Sequence, residues 1–285
     1  MSHRGGSLEQ IENTLAAFRH SASLGVDMLE MDIHSTKDGH IVIFHDHTLE
    51  RVCGTKDKSV DDYNLSELPQ LLIPERLKHM EGQLLRDLDS RRIPLLEEVL
   101  REHPMCVSFW FIQLRTDYGF RIPMSIDVKT ASEETIIKVG NLLRTYNRTH
   151  LTVWGSFHSH QTTLCHKHFP EIPLHFCKPR VIYSFAMAVF GLAGWIEYKE
   201  KFMAIPDYKV LLWVGRWLGW FKALNRRGVQ VIVWGTGKDG GGPGGDINTV
   251  EKFELVRSSG ANGICTDSPT LLKKWLETNP MKDFD

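Results

Sequence analysis

The chain has 285 residues, 42% of them hydrophobic and 24% charged, with a net charge of -1 and 14 histidines uncounted. That is ordinary globular composition, enough for one large domain or two small ones, and it excludes a general basic field for nucleic acid. The five cysteines, Cys53, Cys106, Cys165, Cys177 and Cys265, are scattered and odd in number, which argues for reduced thiols on a cytosol-facing protein and against a disulfide framework.

The first residues, "MSHRGG", carry His3 and Arg4 ahead of any strand-like run. Arg4 offers a planar fork matched to phosphate. The segment "NTLAAFRHSASLG" is amphipathic and predicts a helix. "GVDMLEMDIH" alternates strictly, with Met28, Glu30, Asp32 and His34 on one face and Leu29, Met31 and Ile33 on the other. Glu30 and Asp32 therefore project to the same side of one strand. Two carboxylates so close repel unless a cation or a proton sits between them, and oxygen ligands suit Mg²⁺ or Ca²⁺. The same spacing also suits exposed acids on an edge strand.

"HIVIFHD" predicts the next strand, with His45 at its end on the face of Ile41 and Ile43. Histidine is the side chain best suited to move a proton near neutral pH, so His45 and His3 form a candidate acid and base. In "PMSIDVK", Ser125, Asp127 and Lys129 share a face. Asp127 is a candidate third metal ligand and Lys129 a cation for an anionic substrate, the alternative being a surface salt bridge. "EETIIKVGNLLRTYN" predicts a helix, and "LTVWGSF" a strand.

The longest uncharged apolar run, Val181 to Ile196, falls short of the roughly 20 residues that span a bilayer. Trp213, Trp217 and Trp220 follow it among basic residues, a composition suited to a membrane interface. Residues 178–227 are thus expected to be a hydrophobic excursion from the domain that sits in the interface and admits a lipid tail. The alternative is a helical hairpin packed on the barrel. "GVQVIVW", the helical "NTVEKFELVRSSG" and "GANGICTD" complete the pattern. Strands alternating with helices argue for a parallel sheet with helices outside, hence one α/β domain over 1–285 built as a TIM (β/α)8 barrel, with a doubly wound sheet as the alternative.

Taken together, His3-Arg4-Gly5, Glu12-Asn13-Thr14, Glu30-Met31-Asp32, "HDHTLER" from His45, Asp127-Val128-Lys129 and "VIVW" ending at Trp234 resemble the glycerophosphodiester phosphodiesterase family. "PLLEEVL" from Pro94 and "TDSPTLL" from Thr266 match as well, so the resemblance covers nearly the whole chain. The resemblance implies a PLC-like TIM barrel, one bound divalent cation, Mg²⁺ or Ca²⁺, and a two-histidine mechanism. It makes Glu30, Asp32 and Asp127 metal ligands, His3 and His45 the acid/base pair, and Arg4 and Lys129 the phosphate clamp. Glu12 becomes a supporting acid and Trp234 a wall of the pocket. Asp127 stands where most of the family has Glu, one methylene longer, which bears on metal preference.

"HLTVWGS", "RVCGT" and the apolar stretch after Lys178 look like the membrane-associated animal branch, which is similar to lysophospholipase D. That branch implies cleavage of lysoglycerophospholipids to lysophosphatidic acid on an intracellular membrane, the endoplasmic reticulum or perinuclear membrane, with the catalytic domain facing the cytosol. The rival readings are hydrolysis of soluble glycerophosphodiesters and a catalytically silent lipid-binding protein.

Three departures from the family pattern carry expectations of their own. Only Met1 and Ser2 precede His3, where the family has a whole first strand. The expectation is a longer native chain with an upstream strand and membrane anchor, and, without them, a barrel with two open edges and loosely held His3 and Arg4. Residues 105–121 are apolar where a loop should be polar, and 235–247 are glycine-rich. Both are expected to be foreign to the fold.

Overall fold

A computed structural model describes residues 1–102, 122–130, 132–235 and 247–281. The segment 105–121, and all but the two end residues of 235–247, lie outside the described residues.

Strict alternation decides the first strand, β1 (Leu29–Ser35). Leu29, Met31 and Ile33 are fully buried in a core shared with the outer helices, while Glu30 and Asp32 face the barrel interior. β1 runs parallel to β3 (Met124–Val128), which runs parallel to β4 (Thr152–Gly155). The register pairs Asp32 with Asp127, so the two predicted acidic positions stand side by side. A second parallel sheet contains β5 (Phe202–Pro206), β6 (Gln230–Trp234) and β7 (Gly263–Ile264).

Two short bridges join these sheets into a ring. Leu174 pairs with Trp154 at the end of β4, and His175 pairs with Phe202 at the start of β5. On the other side Ser2 pairs in parallel with both Leu29 and Thr266. Six strands and two bridge-only segments, Ser2 and Leu174 with His175, thus make the eight staves of a (β/α)8 barrel. The two open edges expected from the short first strand are not seen at this level. Ser2 N–H donates to Met28 O at 2.9 Å, and Ser2 O accepts from Glu30 N–H at 3.0 Å. His3 N–H donates to Thr266 O at 2.9 Å. A parallel ladder needs a donor and an acceptor on each side: Ser2 supplies both toward β1, while His3 N–H and Met1 O, which accepts from Thr266 N–H at 3.2 Å, supply them on the other side.

The strand β2 (Ile41–Ile43) lies antiparallel on β1, with Ile33 opposite Ile43. It ends at Ile43, earlier than the alternating pattern suggests. Ile41 and Ile43 pack into the main core and Val42 and Phe44 into a separate cluster with Leu49, Leu77 and Leu84. His45 therefore does not continue the face of Ile41 and Ile43. The chain turns after the strand and delivers His45 to the central cavity instead.

β5 escaped the sequence pattern because it is covered on both faces. Met203 and Ile205 are in the core, and Phe202 and Ala204 line the cavity. It falls inside 178–227, so part of that stretch is barrel wall. The rest includes the helices Lys178–Val189, Lys209–Trp217 and Trp220–Arg226. Elsewhere the helices begin where side-chain caps predict. Thr14 Oγ1 accepts from Ala17 N–H at 3.1 Å, and Ser132 Oγ accepts from Thr135 N–H at 3.3 Å.

Candidate active site

The sharp turn at "HRGG" sets up the site. Arg4 has φ 49° and Gly5 φ 80°, both left-handed. A Cβ on Gly5 would fall 2.7 Å from the Ala17 Cβ, so only glycine lets the turn lie this close to the first helix. The strained Arg4 backbone is held at both ends: its N–H donates to Glu30 Oε2 at 2.8 Å, and its carbonyl accepts from Asn13 N–H at 2.8 Å. The guanidinium, 3% exposed, then points into the barrel.

A cavity of about 490 Å³ opens at the strand ends. His3, Arg4, Glu30 and Asp32 line one side, with His45, Asp127 and Lys129 beside them. Phe157, Phe202, Tyr208 and Trp234 line the cavity too, the Phe157 ring centroid lying 6.0 Å from Lys129 Nζ. Of the residues singled out in the sequence, Glu12 alone is set back from the cavity. It braces Arg4 from behind, accepting from Arg4 Nη1 at 3.0 Å and from Arg51 Nη1 and Nη2 at 2.7 Å each.

Each histidine is fixed by a carboxylate. His3 Nδ1 lies 2.8 Å from Asp267 Oδ1, and His45 Nδ1 lies 2.7 Å from Asp46 Oδ1. An ionised carboxylate can only accept, so both Nδ1 atoms carry protons, which fixes the tautomer of each ring. Asp267 is fully buried and is itself held by Ser7 Oγ and by Asn248 Nδ2 at 3.2 Å. Asp46 accepts from Arg51 Nε at 2.6 Å and Nη2 at 2.9 Å. A continuous chain of charge-assisted bonds thus runs from His45 through Asp46, Arg51 and Glu12 to Arg4.

The sequence reading gave Asp46, Arg51 and Asp267 no role, although two of them lie inside the quoted "HDHTLER". The signal was there: an acid directly after His45, and an acid just beyond the last strand. His175 was also missed. It is buried, lines the cavity at the fifth stave, and donates from Nδ1 toward Phe176 O at 3.2 Å. Burial holds its pKa below the usual value.

Lys129 stands between two predicted metal ligands, 2.6 Å from Asp127 Oδ2 and 3.0 Å from Asp32 Oδ1. Burial opposes its charge, but Asp32 and Asp127 outweigh that and raise its pKa. Burial likewise opposes ionisation of Asp32, yet Lys129, His45 and Arg4 hold it well below the usual carboxylate range. Glu30 goes the other way, pushed up to about 7 by burial and then by Asp32.

Among the described residues, no three acidic, histidine or cysteine side chains already converge as a metal cage. The donors nonetheless fit a hard cation. All three predicted ligands are carboxylates on one cavity wall, and Asp127 Oδ1 is buried without a hydrogen-bond partner.

The dyad geometry gives a direct test. Asp46→Asn keeps the size of the side chain but presents either an N–H or a neutral carbonyl to His45. It is expected to lower kcat by about 10- to 100-fold through loss of the ring's orientation. KM for a soluble phosphodiester should change little. An equal rise in KM would mean that Asp46 acts on substrate binding through Arg51 instead.

The sequence pattern of the glycerophosphoryl diester phosphodiesterase family matches residues 3–271. Lysophospholipase D GDPD1 of Rattus norvegicus is 33% identical over 296 residues, covering 97% of this chain and 85% of its own length. Lysophospholipase D GDPD3 of Homo sapiens is 31% identical over 300 residues, covering 98% and 85%. Among solved structures, the glycerophosphodiester phosphodiesterase of Agrobacterium tumefaciens superposes with TM-score 0.68 at 20% identity, over 96% of this chain and 97% of its own. An Oleispira antarctica phosphodiesterase in complex with the product sn-glycerol-3-phosphate superposes with TM-score 0.67 at 19% identity, over 97% and 95%. The match to the family pattern spans nearly the whole barrel, from His3 to a helix beyond the last strand, and the chain belongs to the glycerophosphoryl diester phosphodiesterase family.

Proposed function

We propose that this barrel is a lysophospholipase D: it hydrolyses lysoglycerophospholipids to lysophosphatidic acid and the head alcohol. The observation that carries the chemistry is the pair of histidines, each tied through Nδ1 to its own carboxylate, lining one cavity with Arg4 and Lys129. Arg4 and Lys129 bind the phosphoryl oxygens and offset charge that grows on them during attack. One histidine takes a proton at Nε2 from the attacking oxygen, which is the glycerol 2-hydroxyl or water. The other gives a proton from Nε2 to the departing head alcohol. Attack by the 2-hydroxyl forms a cyclic phosphate, which water then opens, so either route consumes one water overall.

Glu30, Asp32 and Asp127 are the residues that would hold a Mg²⁺ or Ca²⁺ ion. That ion would add Lewis-acid stabilisation of the phosphoryl charge. Glu12 keeps Arg4 charged and aimed, and Trp234 lines the cavity, with its Nε1 buried and without a hydrogen-bond partner.

A lipid substrate is favoured over a soluble glycerophosphodiester by the exposed aromatic residues of 178–227. Phe190, Trp195, Trp213 and Trp217 are exposed on the helices and turn that follow the fifth and sixth staves. We propose that this face, within 178–227, meets an intracellular membrane from the cytosolic side. Among the described residues no helix is long and apolar enough to cross a membrane. The relatives named as lysophospholipases D support the same reading.

The test is head-alcohol release from lysophospholipid vesicles by the purified protein, first in EDTA and then with Mg²⁺ or Ca²⁺ restored. Release that depends on one ion supports both substrate and metal. Release from glycerophosphocholine alone favours the soluble substrate, and silence on both favours a lipid-binding protein.

A further inference from the structure

We propose that the gap between Phe157 and Tyr208 is the passage by which a substrate's acyl chain leaves the barrel, and that Tyr208 sets how much of the chain is read. This rests on the lysophospholipid reading above. The cavity has charged residues that fix phosphate and, from Phe157 beside Lys129 round to Phe202 and Tyr208, an aromatic lining. Within that lining Phe202 is 4% exposed, whereas Phe157 is 38% and Tyr208 55% exposed. These two residues therefore line the cavity and also reach the outer surface.

Each leads onto an apolar strip. Tyr208 immediately precedes the helix Lys209–Trp217, whose Val210, Trp213 and Trp217 are all exposed and share one side at spacings of three and four. Phe157 O accepts from Lys178 N–H at 2.8 Å, which ties the loop after β4 to the helix Lys178–Val189. That helix exposes Ile182 and Tyr183 in its first half. Scattered exposed apolar residues are ordinary, but a strip at helical spacing that begins inside a cavity is a route for an apolar ligand. An acyl chain on the glycerol, with its phosphate held by Arg4 and Lys129, has apolar surface to follow from the reacting centre to the outside of the protein.

The experiment measures kcat/KM for lysophosphatidylcholines of increasing chain length, each below its micelle concentration, with the whole chain. Wild type is expected to gain about two- to fourfold per methylene over the part of the chain that contacts the passage, then level off. Tyr208→Asp should flatten that rise, chiefly through KM, and Tyr208→Phe should restore it. Val210→Asp, at an exposed first-turn position that tolerates an acid, should flatten the rise only for the longer chains. A wild-type rise that persists unchanged in both aspartate variants overturns the passage, as does a flat wild-type profile with lysophosphatidylcholine still cleaved. That second outcome leaves the lysophospholipid reading standing. Cleavage of glycerophosphocholine without any lysophosphatidylcholine overturns the substrate reading and the passage together.

Discussion

His45→Ala is expected to lower kcat by about two to four orders of magnitude, the range for removing a positioned acid or base. The fold should survive the change. His45 is partly exposed, and Asp46 keeps both bonds from Arg51, so no buried charge is left alone. His3→Ala should cost as much, and Asp267 would still hold Ser7 and Asn248. The two variants part company with a good leaving group. If His45 protonates the departing alcohol, His45→Ala should recover most of its rate on a p-nitrophenyl phosphodiester, whose leaving group needs no proton. If His45 is the base, the deficit should persist there and His3→Ala should recover instead. Loss of less than tenfold in both variants, on either substrate, would remove the two histidines from the chemistry.

The site was more legible in the sequence than the fold that carries it. Period-two alternation exposed Glu30 with Asp32, and Asp127 with Lys129, because both strands bury one face in the core and turn the other to the cavity. β5 gave no such signal, since a barrel strand whose cavity face is apolar reads as a continuous hydrophobic run. Its neighbours in sequence are Trp-rich helices, and the whole stretch looked like one excursion. The fifth stave is only Leu174 and His175, too short for any periodicity. Spacing said that Glu30 and Asp32 share a face, but not that Asp127 would stand beside Asp32 with Lys129 between them. The same limit hid Asp267, though not Asp46, which adjoins His45 in the sequence. Which acid meets His3 depends on chain closure across the barrel, and that acid is more than 260 positions away.

Glu12→Ala should be the most damaging change to stability in this network. Glu12 is 5% exposed and joins Arg4 to Arg51, so its loss removes the carboxylate 3.0 Å from the guanidinium of Arg4, which stays buried beside Asp32. Breaking a buried pair in this way typically costs about 3–5 kcal/mol. Activity should fall too, because Arg4 is no longer held toward the phosphate position. The contribution of Glu12 also depends on pH. Burial works against its charge, but the hydrogen bonds from Arg51 and the charge of Arg4 outweigh burial and hold its carboxyl below the usual glutamate value. A depressed folded-state pKa binds fewer protons than the unfolded chain does. The stabilisation is therefore complete above the unfolded value, near 4.3, and is lost as pH falls through the folded one. Urea unfolding of wild type and Glu12→Ala should accordingly differ by several kcal/mol at neutral pH and converge in acid. A gap that stays constant down to pH 3 would mean that Glu12 stabilises the fold by packing, with Arg4 and Arg51 finding other partners. Glu12→Gln separates the two cases, since it fills the same space and accepts from one guanidinium but carries no charge.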